Sequence, residues 1–230
     1  MKGELVTDWS VIYDYRELIY RGIINTILLT SVGTVVGTIL GLFIGLGKLA
    51  ERWWLRVPCS IYVELFRGTP FFVQIFLIHF AIIPSIWETF APGVEPPSAL
   101  FTGFVALSLN AGAYIAEIFR AGIQSIDKGQ TEAAYSLGMT KGLAMRRIIL
   151  PQAFRRMLPP LGNEFISLLK DSSLLSVIAT QELFYAAINI AKSTFERYPP
   201  YLTSAAIYLL LTLFLSRIVV RGLEKRYTSR

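Results

Sequence analysis

Apolar residues fill this chain in long blocks, and the charged residues collect between them. Four stretches carry no charge: 26 residues from Gly22 to Gly47, 20 from Gly68 to Trp87, 21 from Pro96 to Ala116 and 19 from Tyr198 to Ser216. A hydrocarbon core about 30 Å thick is crossed by roughly 20 apolar residues in a helix, so each stretch is long enough to span. A fifth block, from Met157 up to Glu182, is interrupted only by Glu164, Lys170 and Asp171. Each such charge costs about 2.5–3.5 kcal/mol at the bilayer centre on insertion scales, but charges that face a protein interior are tolerated. The pattern predicts an all-α polytopic membrane protein with five transmembrane helices at about residues 20–47, 58–83, 97–120, 155–180 and 199–220, forming one transmembrane domain over residues 1–230.

Charge decides the orientation. With five spans the termini lie on opposite sides. An outside N-terminus puts fifteen Lys and Arg residues on inner segments, the last of them Lys225, Arg226 and Arg230, against five, including Lys2, on outer ones. The positive-inside rule therefore places the N-terminus outside and the C-terminus inside. The formal charge of +6 is read as topology, and no nucleic-acid partner is expected. The stretch from Trp9 to Tyr20 puts Trp9, Ile12, Tyr13, Ile19 and Tyr20 near one helical face, which suits a helix in the outer interface or an irregular segment there. The first span is too long for a signal-peptide core, so no cleavage is expected.

Cys59 is the single cysteine and His79 the single histidine, so neither an intrachain disulfide nor a Cys/His metal site is expected. His79 reads as a partnered side chain within the bundle. In the first span Gly33, Gly37, Gly41 and Gly45 recur every four residues, a flat ridge for close packing within the subunit or across a dimer.

Polar residues inside the other spans carry the candidate chemistry. Asn110, Tyr114 and Glu117 share one helical stripe; Asn163, Ser167 and Lys170 share another, with Glu164 and Asp171 beside it; Glu64 and Arg67 are one turn apart in the second span. Ionisable groups at membrane depth mark pathways or pair with one another. For Arg67, near the inner interface, a structural role is expected, for example paired with Glu64. For the fourth-span cluster a pathway is expected, because that many polar groups on one helix exceed what packing needs. There is no nucleotide-binding loop, nucleophile elbow or zincin motif, so the chain is not read as an enzyme, and energy for active transport has to come from an ion gradient or a partner.

The largest inner loop holds EAAYSLGMTKGLAMRRIILPQAF, Glu132 to Phe154. Gln130 or Thr131 starts a short helix there, Gly138 ends it in the αL conformation, Thr140 caps a second helix, and Pro151 marks a turn back to the bilayer. Glu132, Ala133, Ala134, Gly138, Ile148, Leu150 and Pro151 match the EAA---G---------I-LP signature, and the chain thereby resembles the permease subunits of bacterial ABC importers. Tyr62–Phe76, Asn110–Ala134 and Leu158–Leu183 are similar to the polar amino-acid branch of that family.

The resemblance implies a type I importer in the bacterial cytoplasmic (inner) membrane. A second permease subunit, of the same or a different chain, would pair with this one, alongside two ATP-binding subunits and an extracytoplasmic binding protein. ATP and Mg would sit on the partner ATPases, with no cofactor or metal on this chain. Residues 131–138 would be the cytoplasmic coupling helix. Glu132, Ala133, Ala134, Gly138 and Pro151 would serve ATPase coupling, with Glu132 touching the ATPase, the two alanines allowing close approach and Gly138 permitting a sharp turn. Candidate substrate contacts are Glu64, Asn110, Tyr114, Glu117, Asn163, Glu164, Ser167, Lys170 and Asp171. The spans hold four acids against two bases, which favours a basic amino acid, with glutamine or another polar amino acid as the alternative. A secondary transporter or a membrane scaffold would leave the EAA signature unexplained.

Overall fold

The computed structural model describes residues 7–222, which are helical without any strand. Lys2, Lys225, Arg226 and Arg230, which entered the charge count, lie outside the described residues. Four helices are long and apolar enough to cross a membrane: Arg16–Lys48, Phe71–Phe90, Ala99–Gln124 and Tyr198–Ile218. A pair bent by 43°, Lys141–Ile178 with Leu183–Thr194, is the fifth candidate.

The N-terminal aromatic stretch forms only a five-residue helix, α1 (Ser10–Asp14), which packs on α11 (Tyr198–Phe214) and buries Val11. Tyr15 then leaves helical geometry and α2 (Arg16–Lys48) begins. At 1.5 Å per residue, 33 residues reach about 50 Å, so α2 outruns a bilayer core. Trp9, Tyr13 and Tyr20 stay exposed near its start, where amphipathic rings favour the membrane interface.

α6 (Ala99–Gln124) is the central element, and α2 lies along it. The glycine ridge explains the closeness of that packing. A Cβ added to Gly33, Gly37, Gly41 or Gly45 would come within 2.9, 2.5, 2.8 and 2.8 Å of atoms of α6. The ridge therefore serves packing inside the subunit. The core then gathers Leu107, Ala111 and Ile115 of α6 with Leu29 of α2 and with Met157 and Leu168 of α9 (Leu150–Asp171).

The second span departs from the expected 58–83. α3 (Trp53–Gly68) ends at Gly68, Thr69 and Pro70 are extended, and α4 (Phe71–Leu77) restarts the helix. A proline disfavours αR in the residue before it and lacks an amide proton, which favours a break at Thr69-Pro70 after a glycine. A wide π turn, Ile78–Ile82, joins α4 to α5 (Ile83–Phe90), and the apolar crossing shifts to Phe71–Phe90. His79 within it is partnered as expected, its Nδ1 lying 2.9 Å from Thr102 Oγ1.

The inner loop contains α7 (Lys128–Ser136) and α8 (Lys141–Ala144). Pro151 does not turn the chain. The helix runs on from α8 through a π turn at Met145–Ile149 into α9, and that wider turn accommodates the ring and the missing amide. α9 continues as a tight 3₁₀ segment, Ser172–Ile178, and Ala179 at φ 58 ends it. A helix not expected from the hydropathy, α10 (Leu183–Thr194), then packs on α2 and α11. Its N-terminus is capped by buried Glu182, which accepts from the amides of Phe184 at 2.7 Å and Tyr185 at 2.6 Å and from the Tyr208 hydroxyl at 2.8 Å. Asn25 donates to the Gln181 carbonyl at 2.6 Å and Thr26 Oγ1 accepts from Leu183 N at 3.1 Å, so the bend is held by polar groups of α2.

Candidate functional site: a two-chamber conduit and an exposed loop helix

The broken second span and the polar faces of α6 and α9 line two adjoining, partly open cavities. The first, about 260 Å³, is lined by Thr69, Phe71, Asn110, Tyr114, Glu164, Ser167, Lys170 and Asp171. The second, about 560 Å³, runs from Arg67, Tyr114, Glu117 and Glu164 past Gly122 and Met157 to Ser125 and Arg156. Tyr114 and Glu164 belong to both, so they stand at the neck.

Thr69, at the break just before the apolar crossing, lines the first cavity. Gln74 closes the hydrogen-bond account there. Its Nε2 donates to the carbonyls of Phe66 (2.7 Å) and Thr69 (3.1 Å) and to Thr69 Oγ1 (3.0 Å), while its Oε1 accepts from Asn110 Nδ2 at 3.0 Å. Asn110 thus holds the break against α6 and is buried at the wall of the first chamber. Gln74 was not among the expected site residues. A glutamine in an uncharged run four residues after Thr-Pro was the available signal.

Glu117 is committed to cations. Lys48 Nζ lies 2.5 Å from Oε1, Arg120 2.7 Å and Arg67 3.7 Å from Oε2. The expected Glu64–Arg67 pair does not form, because Glu64 turns to the exposed side of α3 while Arg67 points at α6. Arg67 also covers the Tyr114 ring, 5.2 Å from its centroid. Of the expected substrate contacts, Asn110, Tyr114, Glu164, Ser167, Lys170 and Asp171 come together in the first chamber and Glu117 in the second. Glu64 and Asn163 are exposed and line neither. Among the described residues no ion pair joins Lys170 to a carboxylate, and Lys170 lines both the first chamber and a smaller cavity beside Phe184, Tyr201 and Tyr208.

The loop helix is defined by its caps. Asp127, rather than Gln130 or Thr131, is the N-cap, with Oδ1 accepting from Gly129 N at 2.7 Å. At the other end Gly138 has φ +78, Met139 N donates to Ala134 O at 3.1 Å and Gly138 N to Tyr135 O at 2.9 Å, which is a Schellman ending. Thr140 caps α8 by accepting from Leu143 N at 3.4 Å. Glu132, Ala133, Tyr135 and Leu137 are exposed, Leu137 at 79%. Ala134 faces inward and is buried, so it packs the helix on its own chain and leaves Ala133 on the outer surface.

Three links tie this loop to its surroundings. Gln152 Nε2 donates to Gln130 Oε1 at 3.2 Å, Arg156 donates to the Ser125 carbonyl at 2.5 Å, and Lys141 pairs with Glu51. The hydrogen bond from Lys141, aided by its charge, holds the Glu51 carboxyl below the usual carboxylate range. α7 begins just after α6 ends and is linked to α9, and both of those helices wall the conduit.

A bundle of broken apolar helices around a charged conduit, with a short exposed helix fixed to two of its walls, is the membrane domain of a transporter. The chain belongs to the family of binding-protein-dependent transport system inner membrane components, whose profile matches residues 33–229. It is 41% identical over 220 residues to the L-cystine transport system permease protein TcyB of Bacillus subtilis, covering 95% of this chain and 90% of that one. It is 36% identical over 219 residues to the glutamine transport system permease protein GlnP of Escherichia coli K12, covering 95% and 97%. A crystal structure of an amino acid ABC transporter with histidines superposes with a TM-score of 0.88 at 40% identity, over 96% of this chain and 100% of that chain. The chain is accordingly an ABC-transporter permease component of the inner membrane.

Proposed function

We propose that this chain forms the translocation pathway of an ATP-driven importer for a polar amino acid, with five spans, an outside N-terminus and an inside C-terminus. The observation that carries the substrate class is the first chamber. It brings two carboxylates, Glu164 and Asp171, one ammonium, Lys170, and the polar groups of Asn110 and Ser167 around about 260 Å³. That volume is just below the range of roughly 300–1,000 Å³ for drug-sized ligands, a fit for one amino acid. Lys170 and the neutral donors suit an α-carboxylate; Glu164 and Asp171 suit an ammonium and a second cationic group. The carboxylate excess supports a basic side chain, arginine, lysine or histidine. The glutamine permease relative supports a neutral polar substrate as the second reading.

Energy enters through α7. Two ATP-binding subunits, with ATP and Mg, engage its exposed face through Glu132 and Ala133, and an extracytoplasmic binding protein delivers substrate to a pair of permease subunits. Closing of the ATPases moves α7, and its attachment to α6 and α9 turns that movement into a change of the conduit. Pairing through differential contacts in two states is the general form of such coupling.

The test uses the reconstituted complex with its binding protein and a panel of amino acids, read by uptake and by stimulated ATP hydrolysis. Asp171→Asn and Glu164→Gln are expected to weaken substrate affinity about tenfold or more, the scale of a lost charge-assisted hydrogen bond, while the ATPase subunits still copurify. Unchanged affinity in both variants would return these carboxylates to a structural role.

A further inference from the structure

The conduit places its cations unevenly, and that unevenness has a use. Lys170 is the cation of the first chamber. The second chamber has Arg67 beside Tyr114 at the neck and Arg156 at the far mouth, where its guanidinium is engaged by the Ser125 carbonyl and hydroxyl. Glu164 alone among the carboxylates lines both chambers.

Arg67 is not needed where a structural reading would put it. Glu117 already receives Lys48 at 2.5 Å and both Nε and Nη2 of Arg120 at 3.0 and 2.7 Å, whereas Arg67 stands off at 3.7 Å. The Arg67 side chain is 43% exposed, against 15% for Lys48, and its guanidinium lies across the Tyr114 ring. Stacking on an aromatic face fixes the plane of a guanidinium while leaving its N–H fork free for a carboxylate.

We infer that Arg67 is the carboxylate-reading residue of the neck, taking the α-carboxylate of the substrate from Lys170 as it passes from the first chamber to the second. This rests on the amino-acid import reading above. The substrate's ammonium stays on Glu164 throughout, because that carboxylate faces both chambers. A zwitterion then crosses the neck without either charge losing its counter-charge, which avoids the several kcal/mol of an unpaired ion at low dielectric. Arg67 is a specificity-determining residue for crossing, whereas Lys170 serves entry.

The experiment compares wild type, Arg67→Gln and Arg67→Lys in the reconstituted complex with its binding protein. It uses the best-transported amino acid and its carboxamide, which keeps the ammonium and lacks the carboxylate. Arg67→Gln is expected to lower maximal uptake of the amino acid about 10- to 100-fold, the range of a charge-assisted hydrogen bond, with the half-saturating concentration within about twofold. Carboxamide uptake is expected to be equal in wild type and Arg67→Gln, so discrimination between the two compounds collapses. Arg67→Lys keeps the charge and loses the fork, and is expected to fall between. Wild-type rates in Arg67→Gln, or equal losses for amino acid and carboxamide, would overturn the assignment. If the glutamine variant fails to assemble, the lysine variant decides by the same ratio. A wild-type complex that moves no amino acid at all overturns the import reading and this inference with it, so the two failures are told apart.

Discussion

Gly138 sits at φ +78 with nothing within 4 Å of where a Cβ would be, so its constraint is purely conformational. An L side chain in the left-handed region costs about 1–2 kcal/mol, more for a β-branched one. Gly138→Val is therefore expected to unwind the Schellman ending and displace Leu137 and α8 from their places, while the membrane bundle, which Gly138 does not touch, stays folded. Uptake should fall at least tenfold with the permease still present in membranes at normal level; copurification with the ATPase and uptake measured on the same preparation check it. Wild-type uptake would show that the α7 ending does not matter to coupling. This residue was fully legible in the sequence, because a glycine after an Ala-rich helical turn has one common backbone use. Glu117 was not. Its stripe placed it correctly on α6, but spacing along one helix says nothing of Lys48 and Arg67 arriving from α2 and α3. Periodicity finds a face; only the tertiary packing finds the counter-charges.

Among the elements, α2 and the broken second span show both sides of that limit. The every-fourth glycine of α2 announced a close helix contact, and the partner proved to be α6 within the same chain. Gly37→Leu would drive a Cβ to 2.5 Å from that of Ala111, with backbone of Gly112 behind it at 3.2 Å. Overpacking of this kind costs about 1–3 kcal/mol or more, so the melting temperature of the purified subunit should drop by several degrees. Val36→Leu, one residue away on the exposed side of α2, is the control and should leave it unchanged within error. Equal melting for both would mean that the ridge tolerates separation from α6. The second span was misplaced for a different reason. Hydropathy averages over the residues it counts, and Gly68-Thr69-Pro70 lies inside a charge-free run, so the average passes over a break that a glycine and a proline favour. α10 was missed likewise, since Leu183–Thr194 is too short to register as a span.

At the scale of the whole molecule the bent pair decides the topology. Lys141–Ile178 and Leu183–Thr194 meet at 43°, so by shape alone the pair fits either one broken span or a re-entrant loop that returns to its own side. The charges favour a crossing. Arg146, Arg147, Arg155 and Arg156 crowd its first turns, whereas only Lys192 follows in α10, and basic residues concentrate on the inner side of a span. Glu182 also argues for it: a carboxylate capping α10, fed by Tyr208 of α11, is placed where that end of the helix meets the end of α2 bearing Gly22 and Thr26. Two exposed residues on either side of the pair make the test direct. Leu137 is 79% exposed just before it and Phe195 is 89% exposed just after it. In a Cys59→Ser background, Leu137→Cys and Phe195→Cys are expected to react with a membrane-impermeant thiol reagent from opposite faces, Phe195→Cys in intact cells and Leu137→Cys only after the membrane is opened. Labelling of both from one face would make the pair re-entrant. It would also place Lys170 and Asp171 on a loop that dips into the conduit, and the polar chamber would then be gated by that loop rather than walled by a span.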